Sequence, residues 1–237
     1  EKLATVGKLA AGLAHEINNP LGVILCYADL LRKTAREDQT EDLMVITRHT
    51  RQAREVLRNL LNFARPKVAT NRDTDLAAAA QMVARVFEPQ AEKRGATIRA
   101  LTGPGVPSVR VEPQAVEHIV ANLLLNALDA VPQQGGEIVL RTQLDEQASE
   151  VVLSVEDNGA GIAPEVLPHL FDPFFTTKEA GKGTGLGLTV VYGFMRDLGG
   201  SVEASNKPQG GARFELRFPV ARANPLRGAH EREREGD

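Results

Sequence analysis

Apolar side chains recur at close to every third or fourth position through residues 2–34, which predicts one long helix. At ~1.5 Å per residue such a helix spans about 45 Å. The polar stretch TAREDQTED (34–42) interrupts the pattern, and a second helical pattern then runs on and stops before Pro66. The apolar positions are Leu3, Val6, Leu9, Leu13, Ile17, Leu21, Ile24, Leu30 and Leu31 in the first helix, and Leu43, Ile46, Ala53, Leu57, Leu60, Leu61 and Phe63 in the second.

Each of these two helices has a narrow apolar stripe, which cannot enclose a core by itself. We therefore expect the hairpin to pair with a second copy of the chain as a four-helix bundle.

The pattern changes after the linker that follows the hairpin. Helical spacing mixes with strand-like alternation, a mixture typical of a two-layer α/β sandwich. We expect helices at 75–93, 113–131 and 187–198, and strands at 137–144, 150–157 and 213–220, with shorter strands at 96–101 and 108–112. The expected domains are the hairpin at 1–66, a linker at 67–75 that permits domain movement, the sandwich at 76–221, and a disordered tail at 222–237.

Composition narrows the function classes. The chain has 28 basic and 31 acidic residues among 237, so no general attraction to nucleic acid or anionic lipid is expected. Its single cysteine, Cys26, excludes an internal disulfide and fits a reducing compartment. No apolar run reaches the ~18 residues of a membrane span, so we expect a cytoplasmic fragment without direct membrane contact. The helical pattern is already in phase at Leu3 with no cap before it, which suggests an upstream sensor or membrane segment in a longer protein.

A histidine and a proline stand close together in the first helix, in LAHEINNPLG (13–22). His15 projects away from the apolar seam, toward solvent. Pro20 cannot donate a backbone hydrogen bond to Glu16, so the helix is expected to loosen just past the histidine. A zinc-protease reading of HEINN fails because Asn19 occupies the position of the second histidine ligand. A helix that merely bends to suit its packing remains the simpler alternative.

Two stretches of the sandwich carry polar residues suited to a ligand. Asn122 and Asn126 share one helix face, where amide oxygens can bind Mg²⁺ or phosphate. In VEDNGAGI (155–162), Asp157 ends a strand and can accept a hydrogen bond from an exocyclic amine such as that of adenine. A surface asparagine pair and an ordinary DNG hairpin turn are the alternatives.

A third stretch is rich in glycine. GKGTGLGLTVVYGFM (181–195) runs into an apolar helix, whose free amide groups can face an anion. It is not a Walker loop, because Gly183 follows the lysine. The preceding segment, 162–180, has three prolines and three phenylalanines, which favours a mobile lid from which Lys178 can reach a phosphate.

Taken in order, these stretches resemble the five signature boxes of sensor histidine kinases, over roughly residues 3–220. HEINNP is similar to the phosphoacceptor box and NLLLNALDA to the asparagine box; DNGAGI, FDPFFTTK and GTGLGL resemble the first glycine, phenylalanine and second glycine boxes. The form FFTTK…GTGLGL looks most like the nitrogen-regulation-type subgroup. The resemblance implies a dimerisation and phosphotransfer bundle joined to an ATP-binding domain of the kind shared with Hsp90 and gyrase.

The resemblance also implies residue roles. His15 would be phosphorylated, with Glu16 as its orienting base and Asn19 at the position used to dephosphorylate the partner. Asn126, and with it Asn122, would hold Mg²⁺, and Asp157 would read adenine. The other ATP-binding positions are Gly159, Gly161, Ile162, Phe171, Thr177, Lys178, Gly183, Thr184, Gly185, Leu186 and Gly187. Asp129 departs from the pattern, because many relatives carry a basic phosphate contact there.

The function implied is ATP-dependent autophosphorylation of His15, followed by phosphotransfer to an aspartate of a response regulator, with phosphatase activity as a further option. Two alternatives stay open: a conformational ATPase of the Hsp90 kind, and an inactive dimeric scaffold that docks a regulator. The sequence does not identify the sensed signal or the cognate regulator. It also does not distinguish phosphorylation within a subunit from phosphorylation between subunits.

Overall fold

The computed structural model describes residues 17, 19–64, 72–179 and 183–220. The chain divides into two compact units, residues 1–68 with 162–197, and residues 69–161 with 198–237. His15, Glu16, residues 67–71 of the predicted linker and the predicted tail lie outside the described residues. The last residues of the predicted linker are described and include a short strand, Asp73–Thr74, and the domain bounds stay a prediction.

The first unit contains the predicted helical hairpin. Helix α1 covers residues 19–31 and includes Pro20, and helix α2 covers Glu37–Ala64. Both helices are confirmed where they are described, whereas the start of the first pattern lies outside. Among the hairpin residues whose side chains are described, the buried ones are Ala28, Leu43, Thr47 and Thr50.

Much of the predicted apolar seam remains exposed in this single chain. Its exposed members include Ile17, Ile24, Leu30, Leu31 and Ile46, each with between 39% and 56% of its surface open to solvent. The single chain therefore leaves apolar surface on the hairpin uncovered.

The remainder of the first unit is a loop segment followed by one helix. A short 3₁₀ turn spans Leu167–His169, and helix α5 spans Gly187–Asp197. Helices α2 and α5 contact each other within this unit. The predicted helix at 187–198 is confirmed.

The second unit is a mixed sheet with two helices. Helices α3 (Leu76–Lys93) and α4 (Pro113–Ala130) contact each other, and both contact strands of the sheet. The five-stranded sheet has the order β2-β4-β5-β7-β6, in which only β2 and β4 pair in parallel. Its strands are β2 (Ala96–Thr102), β4 (Gly136–Asp145), β5 (Glu150–Asp157), β6 (Ser201–Asn206) and β7 (Ala212–Pro219). A separate two-stranded ribbon joins β1 (Asp73–Thr74) to β3 (Val109–Arg110).

The two faces of the sheet differ in chemistry. One face is apolar and forms the core, with side chains such as Leu140, Leu153 and Leu216 no more than 1% exposed. The other face carries ion pairs, some between strands and some along strand β7. These pairs join Arg141 and Arg213 to Glu156, Arg213 to Glu215, and Arg217 to Asp145, Glu150 and Glu215. One apolar and one polar face is what a two-layer sandwich requires, and the predicted fold class is confirmed.

The predicted elements of the sandwich all appear, with bounds that differ by one or two residues for the longer ones. The predicted strand at 108–112 is shorter, because only Val109 and Arg110 pair. Strands β1 and β6 were not predicted.

Candidate functional site

Asp157 is a buried carboxylate of the second unit that is held by backbone hydrogen bonds. It ends strand β5 and is only 3% exposed. Its Oδ1 accepts hydrogen bonds from the backbone amides of Gly159 (2.8 Å) and Ala212 (3.1 Å). Its Oδ2 makes no hydrogen bond with any described residue. One oxygen thus fixes the carboxylate, and the other is left as an acceptor for a ligand.

The backbone around Asp157 is also fixed. Its carbonyl oxygen accepts a hydrogen bond from Lys207 Nζ at 2.8 Å. The next residue, Asn158, joins this loop to the start of strand β4: its Oδ1 accepts from the amide of Glu137 (2.7 Å) and its Nδ2 donates to the carbonyl of Gly135 (2.8 Å). The DNG sequence therefore ends a strand and is not a simple hairpin turn.

Asn122 and Asn126 lie one turn apart on helix α4, and both are half-buried. Asn122 Nδ2 donates to the carbonyl of His118 at 2.8 Å, so the amide is oriented by its own helix. Its oxygen accepts no hydrogen bond from the described residues, and an amide oxygen is a suitable ligand for Mg²⁺. No group of three or more His, Cys, Asp or Glu side chains forms a metal site within the described ranges.

Asp129, the departure from the expected pattern, has a structural partner. Its Oδ1 accepts a hydrogen bond from Arg94 Nη1 at 2.7 Å, and the same nitrogen donates to the carbonyl of Leu128 at 2.9 Å. Arg94 lies at the C-terminal end of α3 and so ties the two helices together. Its positive charge is also favourable at the C-terminal end of α4.

Gly159 and Gly161 belong to the second unit, and the candidate residues from Ile162 onward lie in the first. The ring of Phe171 packs against Tyr192 of α5, with centroids 5.7 Å apart, and its carbonyl accepts from Thr189 Oγ1 at 3.1 Å. Ile162 is half-buried and Thr177 is exposed. The phenylalanine-box segment is therefore anchored to α5.

A glycine is required at position 185. The amide of Phe174 donates to the carbonyl of Gly185 at 3.0 Å, and Gly185 has a φ of +63°. A Cβ at this position would lie 2.3 Å from the carbonyl carbon of Phe174, so a side chain would force the two segments apart. The glycine-rich segment and the phenylalanine box are held together by this close contact.

The other lid residues lie near this contact. Lys178 is half-buried, and its side chain adjoins the backbone of Gly183. Thr184 Oγ1 accepts from the amide of Leu186, and α5 begins at Gly187. Backbone amides at the start of a helix favour an anion, and the anion site expected from the glycine pattern stays a prediction. Residues 180–182 lie outside the described ranges.

The candidate phosphoacceptor region is described only in part. Asn19 is exposed on helix α1, four residues after the candidate histidine. His15 and Glu16 lie outside the described residues, and their roles stay predictions.

Three residues that bear on the site were missed by sequence reasoning: Lys207, Ala212 and Arg94. Lys207 and Ala212 are 50 and 55 residues from Asp157 in sequence. The side chain of Lys207 donates a hydrogen bond to the backbone of Asp157, and the backbone of Ala212 donates one to its side chain. The paired glycines at 210–211, just before β7, were the one available signal for a close backbone approach.

Two family models match the chain. Residues 5–67 match the His Kinase A (phospho-acceptor) domain, and residues 111–222 match the histidine kinase-, DNA gyrase B- and HSP90-like ATPase. Candidate residues His15 and Asp157 fall in the first and second matched regions, respectively.

Curated relatives match the chain along most of its length. The chain is 36% identical to the sensor kinase CckA of Brucella abortus, over 92% of this chain and 25% of the relative. It is 32% identical to the sensor histidine kinase ZraS of Escherichia coli K12, over 93% of this chain and 47% of the relative. The chain thus spans between a quarter and a half of the length of these relatives.

Among solved structures, full-length ShkA in complex with AMPPNP is similar to this chain. The TM-score is 0.79 at 26% identity, over 94% of this chain and 48% of the ShkA chain.

Proposed function

This chain belongs to the sensor histidine kinases of two-component systems, and we propose that it transfers the terminal phosphoryl group of ATP to His15. From His15 the group passes to an aspartate of a response regulator. The observation that carries the proposal is the presence, in one chain, of a phosphoacceptor domain followed by the family's ATPase domain. Assignment to the nitrogen-regulation-type subgroup stays a prediction.

Asp157 supports adenine as the base that is recognised. Its fixed carboxylate leaves Oδ2 as an acceptor, which suits the exocyclic amine of adenine. A buried acceptor that loses its donor partner is costly, so a nucleotide without that amine is disfavoured. The AMPPNP bound in the ShkA structure is an ATP analogue, which is consistent with this ligand class.

Asn126 and Asn122 are the proposed Mg²⁺ ligands. Their neighbouring positions on α4 and the orientation of Asn122 fit a hard cation that prefers oxygen. Bound Mg²⁺ supplies neutralisation of the charge on the transferring phosphoryl group. By the family resemblance, Asn126 is the principal Mg²⁺ ligand of the two.

The lid segment supplies the phosphate contacts in this proposal. The backbone amides near Gly183, Gly185 and Gly187, at the start of α5, favour a negative charge. Lys178, beside Gly183, adds a positive charge. The family resemblance also assigns to the nucleotide site Gly159, Gly161, Ile162, Phe171, Thr177, Thr184 and Leu186.

His15 is the proposed nucleophile. A neutral imidazole with an ordinary pKa of about 6.5 is largely unprotonated at pH 7 and can attack phosphorus. Glu16 would accept a hydrogen bond from the far ring nitrogen and stabilise the positive charge that develops on the ring. Asn19 is exposed and would orient the water that removes phosphate from the partner.

The proposed partners are a second copy of this chain and a receiver domain of a response regulator. The exposed apolar positions on the hairpin support pairing, because a second copy would cover them. No helix among the described residues is long and apolar enough to cross a membrane.

The stability of the protein-bound label in acid and in base distinguishes a histidine kinase from a conformational ATPase and from an inactive scaffold. We expect the chain, incubated with Mg²⁺ and γ-³²P-labelled ATP, to acquire label that is lost in acid and retained in base. Label should fall to background in the matched variant Asp157→Asn. A conformational ATPase would instead release inorganic phosphate without labelling the protein, and a scaffold would do neither.

A further inference from the structure

The turn between strands β6 and β7, residues 207–211, is built onto Asp157 through three contacts. Lys207 Nζ donates to the carbonyl oxygen of Asp157 at 2.8 Å. The amide of Ala212, directly after the turn, donates to Asp157 Oδ1 at 3.1 Å. Gly211 is buried, and its backbone lies against the same carbonyl. The turn thus holds both the main chain and the carboxylate of one residue.

Gly211 shows how close this approach is. Its φ is +88°, and a Cβ built on it would lie 2.0 Å from the carbonyl oxygen of Asp157. Any side chain at this position would push the turn away. The turn is itself closed by hydrogen bonds from the amide of Lys207 to the carbonyl of Gly211 (2.9 Å) and from the amide of Gly210 to the carbonyl of Lys207 (3.0 Å).

Of the three contacts between the turn and Asp157, only that of Lys207 is made by a side chain of the turn. Lys207 is half-buried, and its ammonium group caps the carbonyl of the last residue of β5. A charged donor gives a stronger hydrogen bond than a neutral one, so it restrains the peptide from which the Asp157 side chain projects. Because Oδ1 is held by two amides, the direction of the free Oδ2 depends on that peptide staying in place.

We infer that Lys207 is a positioning residue for base recognition, acting through the main chain of Asp157. This inference rests on the proposed function, in which Asp157 accepts a hydrogen bond from adenine. Lys207 does not touch the nucleotide in this account. It sets the angle at which Oδ2 meets the exocyclic amine, so its loss should affect only ligands that carry the amine.

Binding to two nucleotides tests the inference. ATP and purine riboside triphosphate, which lacks the exocyclic amine, are titrated with Mg²⁺ into the full chain and into Lys207→Met. We expect the parent to bind ATP at least about tenfold more tightly than the analogue. Lys207→Met should weaken ATP binding about tenfold and change analogue binding less than about twofold. The KM for ATP in autophosphorylation should rise by a similar factor, while the rate at saturating ATP stays within about twofold.

Two variants serve as controls. Lys207→Arg keeps a charged donor and should restore ATP affinity to within about threefold of the parent. Lys93→Met removes an exposed lysine from the end of α3 in the same unit and should bind both nucleotides as the parent does. Thermal unfolding of each variant shows whether the unit is still folded.

The outcomes distinguish the inference from the proposed function. Equal weakening of ATP and the analogue by Lys207→Met would mean a general structural or charge effect and overturns the inference. Unchanged affinity for both nucleotides also overturns it. A parent chain that fails to bind ATP defeats the proposed function itself.

Discussion

The sheet unit and the helical hairpin present opposite kinds of surface. On the sheet, apolar side chains such as Leu140 and Leu153 are fully covered, and the exposed face carries paired charges. On the hairpin, Ile24, Leu31 and Ile46 are between 43% and 56% exposed. The core of the sheet is therefore covered within one chain, although helix α3 of the same unit keeps two apolar side chains exposed. The hairpin instead leaves most of its predicted apolar seam uncovered by one chain.

The difference indicates where stability comes from in each region. A core that one chain buries gives stability that does not depend on protein concentration. An apolar stripe covered only by a second copy gives stability that rises with concentration. The next three predictions test this contrast, from the largest expected effect to the smallest.

Truncation in the sheet core should have the largest effect. Leu153 is fully buried on β5, so Leu153→Ala removes buried methyl groups and leaves a cavity. We expect the free energy of unfolding to fall by about 2–5 kcal/mol, measured by urea denaturation at two protein concentrations. The control is Leu101→Ala on β2, where the side chain is 44% exposed and the cost should stay below ~1 kcal/mol. Equal costs for the two variants would contradict the account.

A charge on the hairpin seam should have an intermediate effect. Ile46→Asp places a carboxylate where we propose that two copies meet, so the dimer should dissociate about 10–100-fold more readily. Sedimentation equilibrium measures the change. Met44→Asp alters a 58% exposed residue of the same helix that is outside the predicted seam, and it should leave the dimer constant near that of the parent. A parent chain that stays monomeric at all concentrations would refute the pairing.

The charged face of the sheet should have the smallest effect. A backbone hydrogen bond from Ala148 and the guanidinium of Arg217 lower the pKa of Asp145 below its ordinary value. A carboxyl whose pKa is lower in the folded state stabilises the fold above its unfolded pKa of ~3.9, and this contribution is lost as pH falls through the folded pKa. Stability measured against pH should therefore separate the parent from Asp145→Asn at pH 6, and the gap should close below about pH 4. A gap that is constant down to pH 2 would contradict this assignment.

The fold was readable where periodicity was strong. Strand β7 alternates apolar and polar side chains, and strands β4 and β5 carry runs of aliphatic residues. The helices carry apolar stripes, so the positions of all these elements were predicted to within a few residues. Strand β6 (SVEASN) was missed because only Val202 in it is a large apolar residue, and this strand lies at the sheet edge. A single buried position does not create a detectable alternation.

The site residues could be predicted from the sequence only where they stand in a local motif. Asp157 and the two asparagines stand in recognisable local patterns. The amide of Ala212 and the ammonium of Lys207 meet Asp157 because β5 and β7 are neighbours in the sheet. That adjacency is a property of the topology, which no local stretch of sequence encodes.

The central claim is that the phosphoryl group is transferred to His15. Its most direct test is label from γ-³²P-labelled ATP in the parent, in His15→Gln and in His49→Gln, which alters an exposed histidine on the same hairpin. All three proteins should bind ATP equally, because the changes lie outside the ATPase domain. The account predicts acid-labile label in the parent and in His49→Gln and none in His15→Gln. Undiminished label in His15→Gln would contradict it.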